Sequence, residues 1–224
     1  MKCIQKQVRS ILVCCITVSL LLLSCVCQVS GQDTTPAQNG RSKAQVFDSL
    51  QNAVSGVQTL TSEFRQERRV SMLKEPVVSL GRFSFQKPDK LRWETSGPDP
   101  FGFFVNGDTA KQWKGKNGTQ QAFDLQDNPV LKLIVDQIIV WTKADFKSIE
   151  RQYTISVIRD NPVLLRLAPK SSRERKYVRH ILISFEAETN YAKRVEIAEQ
   201  GGDSTVIEFL NMKTNVPLDL ALFQ

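Results

Sequence analysis

Apolar and polar side chains alternate one for one in five short stretches of this chain, and that period belongs to strands with one buried face. Phe83 and Phe85 alternate with Arg82, Ser84 and Gln86, and Leu91 and Trp93 with Lys90, Arg92 and Glu94. Late in the chain Ile181, Ile183 and Phe185 repeat the pattern, then Val195 and Ile197, then Thr205, Ile207 and Phe209. Asn106-Gly107, Asn117-Gly118 and Gly201-Gly202 punctuate these runs. Asn-Gly accepts the positive φ values of type I′ turns, so each pair marks a hairpin. Strands that follow one another through tight turns pair antiparallel. A meander of roughly ten of them curls instead of lying flat.

Two segments break the period. Val46, Phe47, Leu50, Val54 and Val57 recur at helical spacing, which predicts an amphipathic helix over Ser42–Ser55 that stops near Gly56. Asn128 to Trp141 begins with a cap and a proline at the first helical position. Only Lys132, Asp136 and Gln137 interrupt its apolar surface, so that helix needs cover on most sides. The expected fold is mainly β with two to three helices (α+β). It is a strongly curved antiparallel sheet or incomplete barrel, with the helices on its concave side.

Charge and cysteine counts change meaning once they are located. All five cysteines lie within the first 27 residues, as do the basic residues Lys2, Lys6 and Arg9. The net charge of +7 therefore falls to +4 beyond residue 31, and the body contains no cysteine. A basic start, the apolar run Ile11–Val26 and a small-residue exit form the pattern of an export signal over residues 1–31. Cleavage after Gly31 leaves Gln32 first. Alternatively, Leu22-Leu23-Ser24-Cys25 resembles a lipobox that makes a lipidated Cys25 the first residue, and a retained anchor is a third option. Residues 32–41 are polar and aperiodic, a disordered leader. Residues 42–224 suit one domain, and its lack of thiols suits an oxidising compartment.

Catalytic and cofactor patterns are missing. There is no phosphate-cradling glycine loop, no nucleophile elbow and no thiol pair in the body, so no enzyme, cofactor or metal site is expected. The single histidine, His180, alternates with apolar neighbours and belongs on a strand surface. Asp99, Asp108 and Glu186 suit solvated turns and polar strand faces. The basic run Lys170–Lys176 suits either a solvated connection between strands or contact with anionic lipid or an acidic partner. The aromatics interleave with aliphatic residues and not with a basic stripe, which excludes nucleic acid as a partner.

The stretch Gly81-Arg-Phe-Ser-Phe-Gln-Lys-Pro-Asp-Lys-Leu-Arg-Trp-Glu94 resembles the strand pair of the LolA family, periplasmic carriers of outer-membrane lipoproteins. The likeness continues through Asn106-Gly107, a Trp113-bearing strand, Leu165–Lys170, Gly202–Asn211 and Pro217–Phe223. It spans about residue 44 to the end. What it implies is an incomplete barrel with a helical lid over an apolar cavity that shields acyl chains. Cargo would be acylated lipoproteins or related lipids, received from an inner-membrane ABC transporter and passed to an outer-membrane receptor of the same fold. The carrier would be a periplasmic monomer, free of cofactors and metals, in transient contact with membranes. A receptor or lipid sensor tethered through Cys25 is the alternative.

On this resemblance the acyl-contacting wall is Phe83, Phe85, Leu91, Trp93, Phe101, Phe103 and Trp113, although the same residues could fill a solid core. The lid residues are Leu131, Ile134, Val135 and Ile138, together with Lys87. Lys87 stands where the family commonly has an arginine tying the lid to helix backbone. Lysine offers one charged centre and no planar fork.

Overall fold

The computed structural model describes residues 40–98, 100–115, 118–123 and 145–224. The expected signal sequence, the leader up to residue 39, Asp99, Asn117 and the apolar helix with Leu131, Ile134, Val135 and Ile138 lie outside the described residues.

Helix α1, Lys43–Ser55, begins where its sequence supplies a capping box. The Ser42 hydroxyl accepts from the Gln45 amide, and the Gln45 side chain accepts from the Ser42 N–H at 2.8 Å. Gly56 ends it. Val46 and Leu50, one turn apart, carry its buried stripe.

Among the described residues eleven strands follow: β1 (Thr59–Arg69), β2 (Val77–Gln86), β3 (Lys90–Ser96), β4 (Phe101–Asn106), β5 (Thr109–Lys114), β6 (Gln121–Phe123), β7 (Tyr153–Asp160), β8 (Val163–Pro169), β9 (Val178–Phe185), β10 (Ala192–Glu199) and β11 (Ser204–Thr214). Helix α2 (Phe146–Gln152) leads into β7, and one helical turn, α3 (Ser172–Arg175), separates β8 from β9. A 3₁₀ turn at Leu220–Phe223 closes the chain. Every pairing is antiparallel, and the spatial order is β6-β5-β4-β3-β2-β1-β11-β10-β9-β8-β7. The sheet is not one meander in sequence order, as the hairpin signals suggest. Two meanders are spliced where β1 pairs with β11, and β6 and β7 are the edges among the described residues.

The β4–β5 hairpin forms where Asn106-Gly107 marks it, with the turn moved by one residue. Asn106 pairs with Thr109, so Gly107 and Asp108 make the loop, and the positive φ of +59° falls on the glycine.

Register lines up the concave face. Phe83 pairs with Trp93, and Trp93 with Phe103. Phe64 pairs with Gly81, whose missing side chain leaves room for the Phe64 ring to stack on Trp93 at 3.9 Å. Two apolar clusters result. One joins Val46 and Leu50 of α1 and Phe146 and Ile149 of α2 to β7–β10. The other runs from Val57 and Leu60 through the aromatics of β1–β4. Val54 and Phe209 touch both.

The outer face has its own small anchor. Phe104 and Phe223 are fully buried there. Arg92 donates to the Leu222 carbonyl at 2.9 Å and Asn106 to that of Phe223 at 3.3 Å.

Candidate functional site: an apolar cavity

The two clusters do not close on one another. Between them the concave face bounds a cavity of about 420 Å³, within the ~300–1,000 Å³ usual for small-molecule sites. Its wall takes Leu50 and Val54 from α1, Phe146 and Ile149 from α2, and inward residues of β1–β4 and β7–β11. Of the 26 described residues that line it, Gln66, Asn190 and Thr205 are the polar ones besides the tyrosines. Burial with repulsion from Glu174 pushes the Tyr153 phenol up to about 12, so it presents a neutral ring to the cavity.

Three of the seven expected wall residues line this space: Phe83, Trp93 and Phe103. Phe85 and Leu91 are fully buried within the aromatic cluster, and neither reaches the cavity surface. Phe101 shares the face of Phe103, at 6.3 Å between ring centroids, but begins its strand and is 38% exposed. Trp113 lies on the opposite face. Its indole covers Gly102 and its partner is the Arg92 guanidinium, 4.5 Å from the ring.

The larger part of the wall was not singled out from the sequence. It comes from β7–β11, with Ile155, Leu165, Ile183, Ile207 and Phe209 among its members. The signal was present in the same alternation that marks these strands. What the chain does not announce is the β1–β11 splice that brings both halves round one space.

Lys87 reaches helix backbone despite lacking a fork. Its Nζ donates to the Val54 and Ser55 carbonyls of α1, each at 3.3 Å. A cation on the last carbonyls of a helix meets groups that lack an intrahelical partner. Asn215 grips the same end, donating to the Gly56 carbonyl at 3.1 Å and accepting from the Gln58 N–H at 2.8 Å. At the other end the Arg41 N–H donates to Asp160 Oδ2 at 2.9 Å. Helix α1 is thus tied at its start to the end of β7 and at its end to the β2–β3 turn and the residue after β11.

His180 faces away from the cavity, paired with Ala198. Burial and the nearby Arg166 and Arg179 hold its imidazole below the usual range. No group of three or more His, Cys, Asp or Glu converges among the described residues. The Lys170–Lys176 run forms the connection between β8 and β9, including α3.

Residues 55–224 match the family described as "Outer membrane lipoprotein carrier protein LolA". A relative from Methylococcus capsulatus, named outer-membrane lipoprotein carrier protein, is 26% identical over 181 residues, covering 78% of this chain and 80% of its own. Among solved structures, a LolA superfamily protein from Nitrosomonas europaea is 9% identical with a TM-score of 0.42, covering 82% of this chain and 98% of that one. The lipoprotein LppX of Mycobacterium tuberculosis is 14% identical with a TM-score of 0.45, covering 80% and 100%.

Proposed function

This chain belongs to the LolA family of outer membrane lipoprotein carrier proteins, and from that membership we propose that it is a non-enzymatic carrier of acylated cargo. The observation that supports this reading is the cavity between the two clusters. A sheet that needed only stability would fill that space with its own side chains, because unfilled volume costs packing energy. An acyl chain supplies the missing contacts. Each methylene withdrawn from water is worth about 0.8 kcal/mol, so one chain resists an aqueous crossing by roughly 10 kcal/mol.

In this reading residues 1–31 direct export to the periplasm, 32–41 are a leader and 42–224 are the carrier domain. Lipoproteins, or lipids of related chemistry, pass from an inner-membrane ABC transporter to the monomeric carrier and on to an outer-membrane receptor. Phe83, Trp93 and Phe103 contact the chain together with Ile183, Ile207 and Phe209, while Leu131, Ile134, Val135 and Ile138 act as lid. Contact with membranes is transient. Met72, at 90% exposure, and Leu73 at the tip of β1–β2 suit it, beside basic residues Arg69 and Lys74.

Binding of a fluorescent fatty-acid probe tests the proposal. The wild type binds it, and Ile207→Glu, which puts a charge on the half-buried wall, abolishes binding while leaving the urea midpoint close to wild type. A wild type indifferent to the probe would end the carrier reading. The lipobox-like Leu22–Cys25 favours a second reading, a receptor tethered through a lipidated Cys25. The intact mass of the mature chain decides between them: a start at Gln32 removes the receptor, and a diacylated Cys25 removes the freely diffusing carrier.

A further inference from the structure

The cavity wall carries one polar residue, Asn190, toward one end and two, Gln66 and Thr205, toward the other. Toward the starts of β1 and β2–β3 it is made by Leu60, Val54 and Met212. Toward the far end of β1 the inward positions become Gln66 and then Arg68. Strand period places both on the face of Phe64. Gln66 pairs with Ile207 and Arg68 with Thr205; Gln66, Ile207 and Thr205 line the cavity, while Arg68, its side chain 34% exposed, stands at the rim outside that lining. Three hydrogen-bonding side chains therefore meet at the end where β1 and β11 leave the core.

The donors of Arg68 are only partly engaged among the described residues. Arg68 Nη2 stands 3.9 Å from Glu199 Oε1, a loose ion pair, and its buried Nε has no hydrogen-bond partner among the described residues. A buried guanidinium N–H left without an acceptor costs free energy that a ligand oxygen would recover. The neighbouring Arg65 and Arg69 are otherwise engaged, each paired with Glu67 on the other face. Asn190, the remaining polar lining residue, sits at the opposite end in the turn between β9 and β10. Arg68 Nε is the one buried, unpartnered arginine nitrogen among the described residues.

We propose that Gln66, Arg68 and Thr205 form the head-group end of the cavity. They receive the acceptor oxygens of an acyl ligand, with a carboxylate or similar anion preferred, while the hydrocarbon tail runs toward Leu60 and Val54 beneath α1. This rests on the carrier reading and adds to it a polarity and a ligand preference. Guanidinium donors recognise anionic oxygens with hydrogen bonds about twice as strong as neutral ones, whereas a neutral ester offers the carbonyl alone. The arrangement fixes which end of the cavity the cargo's polar portion leaves from.

Three amphiphiles with the same hexadecyl chain length separate this from plain hydrophobic capture. They are palmitate, methyl palmitate and hexadecyltrimethylammonium, each displacing the fluorescent probe. Wild type is expected to bind palmitate about tenfold tighter than the ester, and the ammonium weakest. Arg68→Met should remove the palmitate preference and leave ester affinity unchanged. Thr205→Val should reduce affinity for palmitate and ester alike. Arg69→Met, altering an arginine on the other face, should change none of the three, which separates a local contact from net charge. Equal binding of all three amphiphiles by wild type, or an Arg68→Met protein that keeps the full preference, overturns the inference and leaves the carrier reading standing. Failure of every amphiphile to bind would remove the carrier reading itself.

Discussion

Tyr153 ties packing to pH at a single residue. Its phenol is buried in the cluster around α2 and raised to about 12, chiefly by burial and secondarily by the Glu174 charge. In the unfolded chain the same phenol ionises near 10. The folded state therefore holds its proton where the unfolded state releases it. The stability this confers is complete below pH 10 and declines as pH rises through 10 toward 12. The loss is at most about 3 kcal/mol, since each tenfold difference in proton affinity is worth about 1.4 kcal/mol. Tyr153→Phe keeps the ring and removes the group that ionises. Urea midpoints of the variant between pH 9.5 and about 12 should consequently fall less steeply than those of wild type. Parallel curves would mean that Tyr153 does not carry the dependence.

Helix α1 shows what local sequence can and cannot specify about an element. Its start is written in Ser42 and Gln45, its stop in Gly56 and its buried stripe in Val46, Leu50 and Val54. The hairpins of β2–β5 were equally legible, because period-two alternation and a glycine turn are properties of adjacent residues. Strand β1 was not. Its outer half, Gln66-Glu67-Arg68-Arg69, is polar at every position, since one face meets solvent and the other meets the polar end of the cavity. The division of aromatics also escapes the pattern. Leu91 and Trp93 share one face, yet only Trp93 reaches the cavity, and Trp113 alternates correctly but belongs to the outer side. Contacts that strap α1 are long-range as well. Lys87→Met would deprive the Val54 and Ser55 carbonyls of their side-chain donor, at a cost of about 1 kcal/mol. Because Val54 lines the cavity, loosening this end should speed probe dissociation several-fold in stopped-flow displacement. Lys87→Arg should keep dissociation near the wild-type rate. Identical rates for Lys87→Met and wild type would show that this end of α1 does not retain ligand.

Across the whole molecule the two faces of the sheet carry different duties, and each can be perturbed alone. The outer face is finished: Phe104 and Phe223 are buried together and the final turn is tied down by Arg92 and Asn106. Among the described residues the inner face keeps unfilled volume between its clusters. Phe223→Ala deletes a fully buried ring and should lower stability by about 3–5 kcal/mol. Affinity for the acyl probe should stay unchanged, because that ring is not among the residues that line the cavity. Ligand acts from the other side. Anything that binds the folded state alone stabilises it by mass action, about 2.7 kcal/mol at a hundredfold excess over Kd. Saturating fatty acid should thus offset a large part of the Phe223→Ala loss, raising Tm by a similar increment in variant and wild type. Additivity is the informative outcome, since sites without shared partners contribute independently. A Phe223→Ala protein with weakened probe binding would instead mean that the outer anchor shapes the cavity, and the division of labour between the faces would have to be abandoned.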